Sequence, residues 1–264
     1  MTLDLGIRGR KAIVNGGSAG LGRGAALALA REGVDIFVSA RGADRLVKTC
    51  DDIRRVTGAT VTPIVADHST AEGRARILAA CPSPDILVAT CSPPPFIEDY
   101  TSVTEEDWRA NLEMTLISPV EMMRSIVPGM VERGWGRIVN IATGAAKFPV
   151  ALRILSGPPR AALVNYSVAL ARKVARHNVT INCLLPIMHD TDGIREILGG
   201  YAERKGTTVK DEIEDMVRTL GIPAGRFGSA EDFGSIAATF CSEYSNYVTA
   251  QSLVVDGGFE NSTF

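Results

Sequence analysis

The stretch SGPPRAAL, residues 156–163, sets Ser156 and Arg160 four positions apart at the start of a long helical pattern. Residues at that spacing share a helix face and can reach one substrate. Two prolines lie between them, and proline is not accommodated in a helix interior because it lacks an N–H and fixes φ. A serine before a helix ordinarily caps it by accepting from the second or third helical N–H. Here those positions are Pro158 and Pro159, so the cap bond cannot form and the hydroxyl is left for another partner. Proline is tolerated in a first turn. The regular helix is therefore expected to start at Pro158 or Pro159, with Arg160 in its first turn and residue 156 redirected. Neither group shuttles protons near neutral pH: serine is too weak an acid, and arginine stays charged. What arginine can do is hold a ribose hydroxyl, a phosphate or a carboxylate through paired hydrogen bonds.

A second stretch, NGGSAGLGRG at 15–24, spaces Gly16, Gly20 and Gly22 as G-x3-G-x-G between an apolar run and a helical pattern. Glycine permits a tight turn and close approach of the backbone to a pyrophosphate. The helix amino terminus adds free N–H groups and a favourable dipole. In this strand–loop–helix setting the pattern points to nucleotide binding, the alternative being a purely structural turn. The following strand ends Ser39-Ala40-Arg41. A carboxylate at that tip selects NAD, whereas an arginine accommodates a 2′-phosphate. NADP is therefore expected over NAD, the alternative being a surface arginine at a helix start.

These groups need a scaffold, and the pattern supplies one. Short apolar runs read as strands at KAIVN (11–15), VDIFVSA (34–40), TVTPIVA (60–66), DILVAT (85–90), GRIVNIA (136–142), VTINCLL (179–185) and SLVVDGG near the end. Helical patterns lie between them: one ending near Gly33, then 43–56, 70–80, one or two helices from Thr104 with bends or starts at Pro119 and Pro128, 159–177, and 229–241. A repeated β-α unit of this kind predicts an α/β protein. The expected fold is a single doubly wound parallel sheet of Rossmann type with helices on both faces. No linker or repeat divides the chain, so 1–264 reads as one domain. The polar segment 187–225 is the expected substrate lid, because loops beyond the carboxyl ends of such strands carry function.

Composition narrows the function classes. The chain has 264 residues, of which 45% are hydrophobic and 22% charged, and a net charge of −2. That balance is ordinary for a globular protein, and it lacks the basic footprint of a nucleic-acid binder. Cys50, Cys81, Cys91, Cys183 and Cys241 form no CxxC pair, and their odd number argues against a disulfide framework. A reducing, cytoplasmic setting is expected. The opening MTLDLGIRGRK has no apolar run suited to a signal peptide, and no run of membrane-spanning length occurs, so no membrane partner is expected. His68, His177 and His189 are far apart and lack metal-ligand spacing.

The whole chain resembles the short-chain dehydrogenase/reductase family. The matches are NGGSAGLG, Asp67 after the third strand, GRIVNIA, VTINCLLP and VVDGG. The resemblance implies a Rossmann domain that assembles as a homo-tetramer or dimer through two long helices, consistent with the small-residue face of RAALVNYSVALARKVA. It also implies a cofactor held by Gly16, Ser18, Gly20, Leu21 and Gly22 at the pyrophosphate and by Asp67, with His68 beside it, at the adenine. Ala89 would lie at the end of the fourth strand, with Pro186 and Thr191 flanking the nicotinamide. The family's catalytic Asn, Ser and Tyr-x-x-x-Lys positions fall on Thr115, Thr143, Ser156 and Arg160, so all four have changed. The family's Asn-Asn-Ala-Gly reads Ala89-Thr90-Cys91-Ser92, followed by three prolines. A branch of the family is similar in carrying such a loop and a Ser…Arg pair.

What the substituted site lacks is a tyrosine-like acid. Stand-ins are His189 and Asp190 in PIMHDTDG, since histidine titrates in the right range, or Lys147. The alternative for His189 is a loop histidine with no role. YAERK (201–205) is a literal Tyr-x-x-x-Lys, but it lies far beyond Thr143 and reads as an exposed helical face. Three functions stay open: a divergent NADP(H)-dependent oxidoreductase acting on a small carbonyl or alcohol, a cofactor-binding but inactive subunit, and a non-redox enzyme on the same scaffold.

Overall fold

The computed structural model describes residues 4–261, and the first three residues of the amino-terminal stretch discussed above lie outside it. Seven parallel strands form one sheet: β1 (Lys11–Asn15), β2 (Asp35–Ala40), β3 (Val61–Val65), β4 (Ile86–Ala89), β5 (Gly136–Ile141), β6 (Val179–Pro186) and β7 (Ser252–Val255). Their order is β3-β2-β1-β4-β5-β6-β7. β4 and β5 are buried along their whole length, as expected of strands covered on both faces.

Alternation along each strand feeds two cores. Ala12 and Val14 of β1, with Ile86 and Val88 of β4, pack on one side. Ile13, Leu87 and Ala89 pack on the other. The first side is covered by α1 (Gly20–Arg31), α2 (Ala43–Thr57) and α9 (Ala230–Phe240), the second by α3 (Ala71–Ala80), α5 (Ser118–Arg133) and α6 (Gly157–Val174). α1 and α9 approach so closely that a Cβ on Gly24 would stand 2.0 Å from the Ala230 carbonyl oxygen. That fixes the height of α1, and with it the glycine loop at its head.

Three details depart from the sequence reading. α4 (Glu105–Leu112) runs into α5 through a π-helical turn at Glu113–Ile117. Pro119 lies at the start of α5, but Pro128 lies inside it without ending it. Pro128 is exposed, so the carbonyl it leaves unserved faces water. The segment 187–225 is also largely helical, with α7 (Asp192–Lys205) and α8 (Val209–Leu220). Thr208 and Asp211 form a capping box at the head of α8. Leu198, Ile222 and Phe227, with Ile213 and Met216, give this segment a small core of its own. Finally, α6 starts at Gly157, one residue before the earlier of the two expected starts.

Candidate active site

The strand order reverses between β1 and β4, and ligands of open α/β sheets bind beyond the carboxyl ends of the strands at such a point. The glycine loop leaves β1 there. Gly16 has φ 67°, in the left-handed region that glycine favours, and its N–H donates to the Ser39 carbonyl at 2.9 Å. A Cβ on Gly16 would stand 2.7 Å from the Thr90 carbonyl oxygen, and one on Gly22 would stand 2.5 Å from that of Gly16. The loop is thus a backbone cradle that side chains would fill. Thr49 Oγ1 anchors it by donating to the Ser18 carbonyl at 2.8 Å, and Leu21 packs on the core below. No side chain caps α1, so its first N–H groups point outward for an anion. Thr191, which caps α7, faces this loop: its methyl carbon would be 3.6 Å from a Cβ on Gly20.

Arg41, exposed at the tip of β2, lies at one end of a cleft shared with Asp67, Thr70, Gly73 and Arg76. Burial works to raise the Asp67 carboxyl, but donation from Ser69 Oγ and N at 2.7 and 2.9 Å outweighs it, followed by the charges of Arg41 and His68. The carboxyl is held below the usual range. The pyrophosphate cradle, the cationic tip and the absence of an acid at that tip fit a dinucleotide bearing a 2′-phosphate.

Between β1 and β4 a pocket is lined by Asn15, His68, Ala89, Cys91, Thr115 and Arg160 among others. Thr115, on the π-turn, lines this pocket and donates to the Asn111 carbonyl at 2.6 Å. Ser118 Oγ donates to the His68 carbonyl at 2.8 Å, so it accepts from His68 Nδ1 at 2.7 Å. This assigns the Nδ1–H tautomer. Burial first, opposed by Asp67 and aided by Arg41 and Arg74, holds His68 below its ordinary range.

Ser156 and Arg160 are both buried. Ser156 makes no cap bond, as its prolines require. The expectation that the prolines redirect it is corrected: its φ of −92° and ψ of −44° are helical. Pro158 and Pro159 occupy first-turn positions whose N–H groups have no partner in any helix, so they cost little there. Residues 156 and 160 consequently stack. Arg160 Nη1 donates to Ser156 Oγ at 3.0 Å and to its carbonyl at 3.3 Å, while Nη2 donates to Cys91 Sγ at 3.2 Å. With a lone pair engaged by a cation, the Ser156 hydroxyl keeps its own proton free, and no acceptor for it lies within reach among the described residues. Such polarisation strengthens the hydroxyl as a donor.

Other sequence candidates lie elsewhere. Thr143 accepts from the Ala145 N–H at 3.4 Å and caps a short turn at 144–146, adjoining the pocket rather than lining it. Pro186 ends β6, half-buried. The structure does not bring His189 to the pocket. Its ring packs edge-on to Phe233 with centroids 5.3 Å apart, in a space that exists because residue 228 is glycine. Burial lowers its pKa, and its Nδ1 has no partner. Asp190 holds Arg195 at 2.6 Å, Lys147 is exposed, and Lys205 is paired with Glu212 at 2.8 Å, away from Tyr201. Asn111, which the sequence reading passed over, donates to the Leu155 carbonyl and so ties the helix before Thr115 to the residue before Ser156. Its signal was its place one turn before Thr115.

Fold and site together define a dinucleotide-type α/β protein, and comparisons with known proteins agree. The family profile described as enoyl-(acyl carrier protein) reductase matches residues 16–260. Dehydrogenase/reductase SDR family member 4 of Homo sapiens is 31% identical over 94% of this chain and 86% of the relative. NADPH-dependent reductase BacG of Bacillus subtilis is 29% identical over 94% of this chain and 97% of the relative. The crystal structure of L-sorbose reductase from Gluconobacter frateurii, complexed with NADPH and L-sorbose, superposes with a TM-score of 0.93 at 28% identity, covering 98% of this chain and 100% of that one. The chain belongs to the short-chain dehydrogenase/reductase family. No helix among the described residues is long and apolar enough to cross a membrane.

Proposed function

We propose that the protein is an NADP(H)-dependent oxidoreductase that reduces a small carbonyl compound, using a Ser156–Arg160 pair at the positions where the family resemblance implies tyrosine and lysine. The observation that carries this reading is the pairing, at one edge of the sheet, of a backbone cradle with an arginine-bound hydroxyl. BacG is an NADPH-dependent reductase, and the sorbose reductase was solved with NADPH, which supports the cofactor assignment to the glycine loop and Arg41.

The nicotinamide, when bound, supplies hydride to the carbonyl carbon. The chain's part is positioning and charge. The Ser156 hydroxyl donates to the substrate oxygen, and Arg160 holds that hydroxyl in register from below. Negative charge developing on the oxygen is stabilised by this preorganised donor and the nearby guanidinium. Serine is too weak an acid to surrender its proton at neutral pH, so water delivers the final proton. His189, packed against Phe233, serves stability. The α7–α8 segment covers the site as a lid over residues 187–225. A homo-oligomer is part of this reading, supported by Leu112 and Ile117, which stand 36% and 40% exposed on one continuous helical run.

The test is NADPH binding by fluorescence, followed by a carbonyl panel monitored at the nicotinamide absorbance. NADPH is expected to bind, and at least one ketone or aldehyde to be reduced. Ser156→Ala is expected to cost about a hundredfold in kcat, ~2.7 kcal/mol in the barrier, because it removes the donor to the developing oxyanion. NADPH binding without turnover of any carbonyl would overturn the redox reading in favour of an inactive subunit. Absence of NADPH binding would overturn both.

A further inference from the structure

Arg160 carries a charge that no carboxylate among the described residues neutralises. It is 4% exposed, and its partners are the Ser156 hydroxyl and carbonyl and the Cys91 thiol. The other deeply buried guanidinium, Arg137, has the Glu243 carboxylate 3.6 Å away. No carboxylate among the described residues comes within 4 Å of Arg160, nor of Arg153 one turn before Ser156. Arg153 stacks at 3.9 Å on the Phe96 ring and donates to the Pro94 carbonyl at 3.5 Å. Burial first, then the charge of Arg160, lowers its pKa.

Both guanidiniums are fastened to the same segment. Arg160 reaches Cys91 and Arg153 reaches Pro94 and Phe96, while the Ile97 N–H donates to the Leu152 carbonyl at 3.0 Å. The proline-rich turn after β4 and the turn before α6 therefore clamp a pair of unneutralised arginines at the carboxyl edge of the sheet, beside the Ser156 hydroxyl. The nearest acids in sequence, Glu98 and Asp99, are exposed, and Asp99 is occupied by the Thr101 N–H and hydroxyl. Burying a guanidinium without a counter-charge is costly unless a ligand supplies one, and a planar guanidinium matches a carboxylate through paired hydrogen bonds.

We infer that the substrate is an oxo acid whose carboxylate is held by Arg153 and Arg160 while its carbonyl oxygen meets the Ser156 hydroxyl. This deepens the redox reading above and rests on it for the fate of the carbonyl, but the carboxylate site can be read by binding alone. Oxo acids of three to six carbons and their methyl esters are titrated calorimetrically into protein already saturated with NADP+, so that the cofactor's phosphates are in place. Each acid that binds is expected to bind at least about tenfold more tightly than its ester. That preference is expected to fall to within about twofold in Arg153→Gln and in Arg160→Gln, with melting temperatures recorded to show that both variants are folded. If one variant fails to fold, the other decides.

Esters binding as well as acids, a preference that survives in a folded variant, or no acid binding at all would each overturn the inference. If NADPH is oxidised by neutral ketones as readily as by oxo acids, this inference falls and the redox reading stands. If acids bind with an arginine-dependent preference while no nicotinamide is oxidised, the redox reading falls and the carboxylate site stands.

Discussion

Replacing Arg41 by alanine separates the two nicotinamide cofactors on physical grounds. Arg41 stands exposed at the tip of β2, with no carboxylate bonded to it among the described residues and its charge felt by Asp67. A hydrogen bond to a charged group contributes about 1.5–3 kcal/mol. Solvent screens an exposed guanidinium, so the low end applies, and about 1.5 kcal/mol is slightly more than tenfold in Kd. Arg76 lines the same cleft, but Glu72 lies 3.3 Å from its guanidinium and takes up part of its charge, so it does not replace Arg41 fully. Arg41→Ala is expected to weaken NADPH about tenfold and to change NADH by less than about twofold. The contact is exposed, so the NADPH preference of the wild type is expected to shrink as salt rises from about 0.05 to about 0.5 M. Titration calorimetry with both cofactors at both salt concentrations measures this. Wild-type protein that binds NADH as tightly as NADPH, or a variant that loses both equally, would refute the assignment of Arg41 to the 2′-phosphate.

Two stability predictions follow from groups outside the pocket. Glu243 accepts from Trp135 Nε1 at 2.8 Å and is, among the described residues, the only carboxylate within 4 Å of buried Arg137, 3.6 Å from an Nη2 that makes no hydrogen bond; Arg10 and Arg137 flank the same indole at 3.9 and 4.4 Å. Glu243→Gln removes that counter-charge. Because Glu243 is 40% exposed, the loss is expected below the usual range for a buried pair, at about 2–3 kcal/mol, read as a shift in urea midpoint at constant m-value. His68 and His189 are both held below their ordinary value of 6.5 by burial. The fold therefore favours their neutral forms. The stability this contributes is complete above pH 6.5 and is lost as pH falls from there toward the folded-state values. Urea midpoints at about pH 7.5 and 5.5 are expected to differ by less in His189→Gln than in the wild type; an undiminished difference would remove His189 from this account.

How much of this was legible in the sequence differs from element to element. β1 is legible to the residue at Lys11–Asn15 and β2 to β6 to within one residue at either end, while the last strand stops at Val255, three residues short of the expected SLVVDGG; strands buried on both faces must be short, apolar and bounded by polar turns. Gly16 and Gly22 were legible because only a residue without a side chain fits where a backbone closes on itself. The apolar spacing of Val209, Ile213, Met216 and Val217 and the Thr208–Asp211 cap were also present, yet polar neighbours masked α8.

The start of α6 was not decidable from local rules. Prolines at first-turn positions allow a helix to begin on either side of Ser156, and what settles the matter is the packing of Gly157 against the Ala145 carbonyl, which a Cβ would meet at 2.8 Å. The pairing of Arg160 with Cys91 spans 69 residues and exists because β4 and β5 are neighbours in the sheet. His189 sits in a sequence position that invites chemistry, but a side chain's direction is set by the space its neighbours leave. Gly228 and Phe233 leave that space in the core. Residue type and spacing fix which groups can bind a nucleotide or polarise an oxygen; only the folded chain decides which of them face the same cavity.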